Sequence, residues 1–193
     1  SLLQHLKFGG EKFFNIKVND ELSPIGWHII HCLYVECIWI RSKFFDDNEL
    51  VNKLKNIADG VKINPKNRGL NLPSYKYLYK LTKNEFVKNL ILIQNVKNKK
   101  KANYFLQFLI NHHSQHLESI KIILNLINIK NNKATEKSFS IIEAKPFKFN
   151  PVNIKKGFFK VGSQSNKKFI FDNEKPINYI QLDNFQIDKK LIQ

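Results

Sequence analysis

Three stretches of this chain repeat apolar residues at helical spacing, and they constrain its fold more than any other feature. Leu78, Leu81, Phe86, Leu90 and Ile93 form one such stripe, and the pattern predicts a helix ending near Val96. Phe105, Phe108, Leu109, His112, His116, Ile120, Ile123 and Ile127 form a longer one. The third opens at Ser23-Pro24, read as an N-cap followed by Pro at the first helical position. It continues through Trp27, His31, Tyr34, Val35 and Ile38 to about Arg41. A shorter amphipathic piece lies between Asp47 and Ala58, and Ser74 after Pro73 is a further capping signal. Long amphipathic helices joined by loops can bury their stripes only against one another, so a helix bundle is expected.

The flanking segments read differently. Leu2, Leu3 and Leu6 suggest the end of a helix whose start is missing, and Phe13-Phe14-Asn15-Ile16 reads as a strand. Residues 60–73, rich in Asn, Gly and Pro, read as a polar loop. After Asn131 the stripes stop and a polar, linker-like stretch follows. From Phe147 short apolar bursts alternate with Gly157, Gly162 and Pro176, the pattern of strands and turns. The expected division is therefore a helical domain over 1–135, a linker over 136–145 and a second domain from 146 to 193.

A length of 193 residues and 42% hydrophobic composition suit a folded globular chain. The longest apolar stretch, residues 29–40, is interrupted by His31 and Glu36 and falls short of the about 20 residues a membrane span needs. No signal-peptide pattern opens the chain, so a cytoplasmic location is expected. The chain starts at Ser1 and contains no Met, which reads as a fragment of a longer protein.

The net charge of +16 invites a nucleic-acid reading, but 30 of the 32 basic residues are Lys. Asn and Ile are equally inflated, at 24 each, as A/T-rich codons would make them. Base readers favour the bidentate fork of Arg, and only Arg41 and Arg68 are present. The dense cluster Lys97 to Lys101 reads as a solvated loop, so neither nucleic acid nor membrane is an expected partner. Cys32 and Cys37, on one helix, would place their Cα atoms about 8.6 Å apart. A disulfide spans at most roughly 7 Å, so both are expected as free, buried thiols.

The histidines carry the chemistry. Five of the six lie in two short clusters, at 28 and 31 and at 112, 113 and 116. His112 and His116 are i,i+4 neighbours on one otherwise apolar face. His31 shares an inward face with Trp27, Val35 and Ile38. Two imidazoles facing a bundle core can be satisfied core residues or can chelate a metal. A third on an inward face of another helix favours the metal, since three neutral imidazoles on one side leave positions open for substrate. His28, three residues before His31, is an alternative ligand, whereas His113 is turned about 100° from His112 and should face away.

Around these residues the chain resembles a known family. The stretch SPIGWHIIHCLYVE (23–36) looks like the second helix of DinB-like four-helix bundles, in the version fused to the sulfoxide synthases of ergothioneine biosynthesis. HHSQHLES (112–119) resembles that family's later H-x-x-x-H helix, and NPKNRGLNLPS (64–74) its connection before the third helix. Ile30 and His113 depart from the usual Gly and Glu. Beyond the helices, GFFKVGS (157–163), FDNEKP (171–176) and QLDNFQID (181–188) resemble the opening of the formylglycine-generating-enzyme-like (sulfatase-modifying-factor-like) domain that follows in those synthases.

The resemblance implies a mainly α fold. It would comprise a DinB-like four-helix bundle with its first helix truncated, then an incomplete α+β, C-type-lectin-like segment. It also implies a non-haem Fe(II), O₂-dependent oxidoreductase that joins a thiol, cysteine or γ-glutamylcysteine, to a histidine-derived imidazole. His31, His112 and His116 would be the iron ligands, and Gln115 would help to hold the histidine-derived substrate. Arg68 is a candidate fork for the thiol's carboxylate. Catalytic groups would lie beyond residue 193, leaving this segment inactive alone. The alternative is a DinB-like thiol transferase using Zn²⁺ or another divalent metal.

Overall fold

The computed structural model describes residues 10–131, 150–164 and 169–189. The expected linker and the apolar start at Leu2, Leu3 and Leu6 lie outside the described residues. The chain forms two compact units, Ser1–Thr135 and Glu136–Gln193. It is mainly helical, with a few antiparallel strands in the second unit.

In the first unit, α1 (Ile25–Glu36) is apolar on nearly every side, and Ile25, Trp27, Ile29, Ile30, Cys32 and Leu33 are almost wholly buried. A helix apolar all round is a core helix. Accordingly α1 packs against α2 (Glu49–Ala58), α3 (Tyr75–Asn95) and α4 (Lys99–Asn131). Leu78 and Ile93 of α3 and Leu109, Ile120, Ile123 and Ile127 of α4 complete the core. Each such aliphatic side chain contributes about 1.5–3 kcal/mol through burial. Cys32 and Cys37 are both free and buried.

Four local expectations give way to packing. Pro24, not Ser23, holds the N-cap position of α1, and its carbonyl accepts from the Trp27 and His28 amides. The helix also runs past Arg41, through a π-helical segment, Cys37–Ser42, and an α turn, Lys43–Phe45. It stops where Asp46 adopts a left-handed conformation (φ 52°). The Phe13-Phe14 segment is not a strand, since residues 10–13 are helical. The Phe14 ring packs against Gly26, where any Cβ would clash with it, and the Phe14 carbonyl accepts from the Gly26 amide. Finally, α4 begins inside the Lys cluster. Asn98 caps it, accepting from the Lys101 amide at 3.0 Å, so a local hydrogen bond overrides the unfavourable cations of the first turn. Ser74 does cap α3, through its hydroxyl and the Tyr77 amide.

In the second unit, β1 (Pro151–Ile154) pairs antiparallel with β4 (Phe185–Asp188), and β2 (Gly157–Val161) with β3 (Asn178–Leu182). The pairings Ile154–Phe185 and Gly157–Leu182 keep one register across the gap, so the strands form two halves of one long hairpin. At the interruption the Lys156 amide donates to Asn184 and its ammonium meets Asp183 at 3.0 Å. Phe158, Tyr179 and Ile187 are more than half exposed, and Ile170 is the one buried large apolar residue among the described residues of this unit.

Candidate metal centre

Each histidine of the cluster owes its position to a helix contact. On α1, His31 turns toward the end of α2, where its Nδ1 donates to the carbonyl of Ala58 at 2.7 Å. Ala58 is the last residue of α2, so this carbonyl has no partner within its own helix. The bond leaves the lone pair of His31 on Nε2. Gly60 makes the approach possible, because a Cβ there would lie 3.0 Å from the His31 ring. On the other face Trp27 stacks on His31 at 4.7 Å, and the Arg68 guanidinium covers Trp27 at 4.3 Å.

From α4, His112 and His116 stand one turn apart with their Nε2 atoms 3.1 Å from each other. Their rings lie 5.2 and 4.8 Å from that of His31. One nitrogen from each of His31, His112 and His116 can be chosen so that all three lie within 4.8 Å of one another. A metal–imidazole bond is about 2.0–2.1 Å, so nitrogens sharing one ion stand roughly 3–4 Å apart, and a small closure would seat it.

The electrostatics favour neutral rings. Burial pushes His116 down to about 2, and repulsion from His112, His28, His31 and His113 adds to it. Burial likewise takes His112 to about 3, with His31 and His113 adding repulsion. It takes His28 to about 4, with His31 and Arg68 repelling. Burial lowers His31 too, against the pull of the Ala58 carbonyl. Rings neutral at pH 7 keep their lone pairs for a metal.

The remaining sequence candidates fall around this cluster. His28 is more buried than His31, at 6% exposure, which removes the depth argument for preferring His31. Its Nδ1 lies 2.8 Å from Nδ1 of His116. His113 points toward Phe86 and toward Glu36, whose Oε1 is 3.5 Å from its Nε2. Arg68 spends donors on the carbonyls of Gly60 (2.6 Å) and Ile63 (3.2 Å), so it first of all fastens the loop over Trp27. Gln115 is exposed on α4.

Cys32, His112 and His113 form a second group within the same span. Its thiol is held well above the ordinary range by burial and by the charge of Glu36. A metal there must first displace a tightly held proton, so the three-imidazole set is the better site. The chain matches no family model and no curated protein.

These lowered histidines set a pH dependence. The folded rings titrate at or below about 4, whereas unfolded histidine titrates near 6.5. As pH falls below 6.5 the unfolded state takes up protons first, so stability is lost in acid. Glu36 opposes this, since burial raises it to about 7 and favours the folded state at lower pH. Four rings outweigh one carboxyl. The metal-free protein is expected to lose at least about 3 kcal/mol between pH 7 and 4.5, read from urea midpoints. A flat profile would mean that the rings are solvated.

Proposed function

We propose that residues 1–135 are a DinB-like helix bundle carrying a three-histidine divalent-metal centre, of the type found in sulfoxide synthases. The observation that carries this reading is the convergence of His31, His112 and His116 at mutual distances a single ion can close. The donor set fits Fe(II), because three neutral imidazoles leave coordination positions for a thiol and O₂. When bound, the iron would supply the oxidative chemistry. The chain's own residues have other tasks. Ala58 fixes the His31 ring so that Nε2 faces the centre, and the Trp27–Arg68 stack closes that ring's outer face. The substrates in this reading are a cysteine-type thiol and a histidine-derived imidazole. Arg68 and Gln115 are candidates to contact them, and a formylglycine-generating-enzyme-like segment follows.

A thiol transferase using Zn²⁺ or another divalent ion is the second reading. It is favoured by one fact, that all three imidazoles come from the helical unit alone. Metal analysis after anaerobic purification, followed by Fe(II) and Zn²⁺ titration, tests the common core. One divalent ion per chain is expected, and no binding of either ion would refute both readings. Thiol- and imidazole-dependent O₂ uptake in the complete protein separates iron chemistry from thiol transfer.

A further inference from the structure

His116 is the one imidazole of the cluster with close neighbours at both ring nitrogens. Its Nε2 faces Nε2 of His112 at 3.1 Å, and its Nδ1 faces Nδ1 of His28 at 2.8 Å. Two ring nitrogens at 2.8 Å hold one proton between them, so one must donate and the other accept. If Nε2 of His116 presents its lone pair beside His112, the proton sits on Nδ1 and points at His28. His28 then accepts at Nδ1 and carries its own proton on Nε2. That nitrogen is buried with no hydrogen-bond partner among the described residues.

Resting on the metal centre proposed above, we propose that His28 is a positioning residue: it accepts the Nδ1–H of His116 and fixes the tautomer that offers His116 Nε2 to the metal. The arrangement parallels that of His31, whose Nδ1 donates to the Ala58 carbonyl. Each ligand ring is thus oriented by an acceptor supplied from another element, α2 for His31 and α1 for His116. Outer partners of this kind are worth about 10- to 100-fold in metal affinity. His28 is set apart from the ligands because its Nδ1 is committed to His116 and its Nε2 carries the remaining proton.

The test is Co(II) titration of the full chain, followed by visible absorption, in three proteins. His28→Leu removes the acceptor, whereas His28→Asn restores one near the place of Nδ1. Expected are tight binding by the wild type, affinity about 10- to 100-fold weaker for His28→Leu, and recovery to within about threefold for His28→Asn, with a wild-type spectrum. Equal affinity and spectrum for His28→Leu and wild type would overturn the proposal. His28→Asn binding as weakly as His28→Leu, with a shifted ligand-field band, would overturn it in favour of His28 as a direct ligand. Absence of Co(II) binding by the wild type would instead refute the metal centre itself, and the role of His28 with it. Should His28→Leu not fold, long-range ¹H–¹⁵N spectra of the Zn²⁺-loaded wild type decide without a variant. His116 is expected bound through Nε2 and protonated on Nδ1, with His28 unbound, and any other pattern overturns the proposal.

Discussion

Replacing His116 with alanine is expected to lower Co(II) affinity by more than about 100-fold, beyond the 10- to 100-fold typical of an outer-sphere partner. His116 is the middle ring, with neighbours at 3.1 Å on His112 and 2.8 Å on His28. Without it, His31 and His112 remain as two ligands from different helices, and His28, whose Nδ1 faces His116, loses the ring it orients. His113→Ala is the control, because its ring turns toward Phe86 and Glu36. It should bind Co(II) within about threefold of wild type. The pair of variants decides between the two candidate groups. A metal held by Cys32, His112 and His113 would be lost in His113→Ala, kept in His116→Ala, and accompanied by a thiolate charge-transfer band. Circular dichroism of both variants separates a lost site from a lost fold.

The i,i+4 pair at 112 and 116 was legible because helical spacing alone puts two residues on one face, and no tertiary information is needed for that. That His31 would approach them was also legible, from the inward stripe it shares with Trp27 and Val35. What fastens these rings was not. The Ala58 carbonyl is a backbone atom, and only the end of α2 meeting α1 makes it available. Gly60 likewise matters for the side chain it lacks, since its missing Cβ makes room for His31. The division between His28 and His31 was beyond periodicity, because on a helix buried all round both positions face protein. The same holds for Phe14, whose local pattern suggested a strand while the slot over Gly26 sets its actual place.

The polar stripe of α3 carries a further signal in its spacing. Thr82, Glu85 and Asn89 recur at three-to-four spacing between the apolar positions, and all three are buried. Glu85 and Asn89 meet Arg41, which projects from the π-helical segment that continues α1, while the Thr82 hydroxyl donates back to the Leu78 carbonyl. Arg41 donates through Nε to Asn89 at 2.6 Å and through Nη2 to Glu85 at 2.5 Å. Asn89 passes the connection on, donating to Glu36 at 2.9 Å, and Glu36 faces His113 beside the histidine cluster. Thus one network holds α3 against α1 and reaches the site. Polar residues at helical spacing on a face that must be buried are the sequence signature of such a network, and a buried Arg is the partner they require.

Arg41→Met is therefore expected to destabilise the metal-free protein by about 3–5 kcal/mol, the usual cost of removing one partner from a buried ion pair. Burial pushes the Glu85 carboxyl up, but hydrogen bonds from Lys88 and Arg41 outweigh it and keep the group below its ordinary value. With Arg41 gone, Lys88 alone remains at 2.7 Å, on the solvent side, and the Asn89 oxygen loses its donor. Retention of Lys88 places the expected loss toward the lower end of that range. Glu85→Gln keeps an acceptor for Arg41 and removes only charge, so about 1–2 kcal/mol is expected. Joining Arg41→Met to Glu85→Leu removes both charges, and apolar replacement of a whole buried pair is often neutral. The double variant should thus recover much of the loss. Urea denaturation at pH 7.5, with and without 0.5 M salt (roughly 4 Å screening length), checks this, because a buried pair is only weakly screened. Costs below about 1 kcal/mol for Arg41→Met, or costs that vanish in salt, would show a solvated surface pair that does not hold α3 to α1.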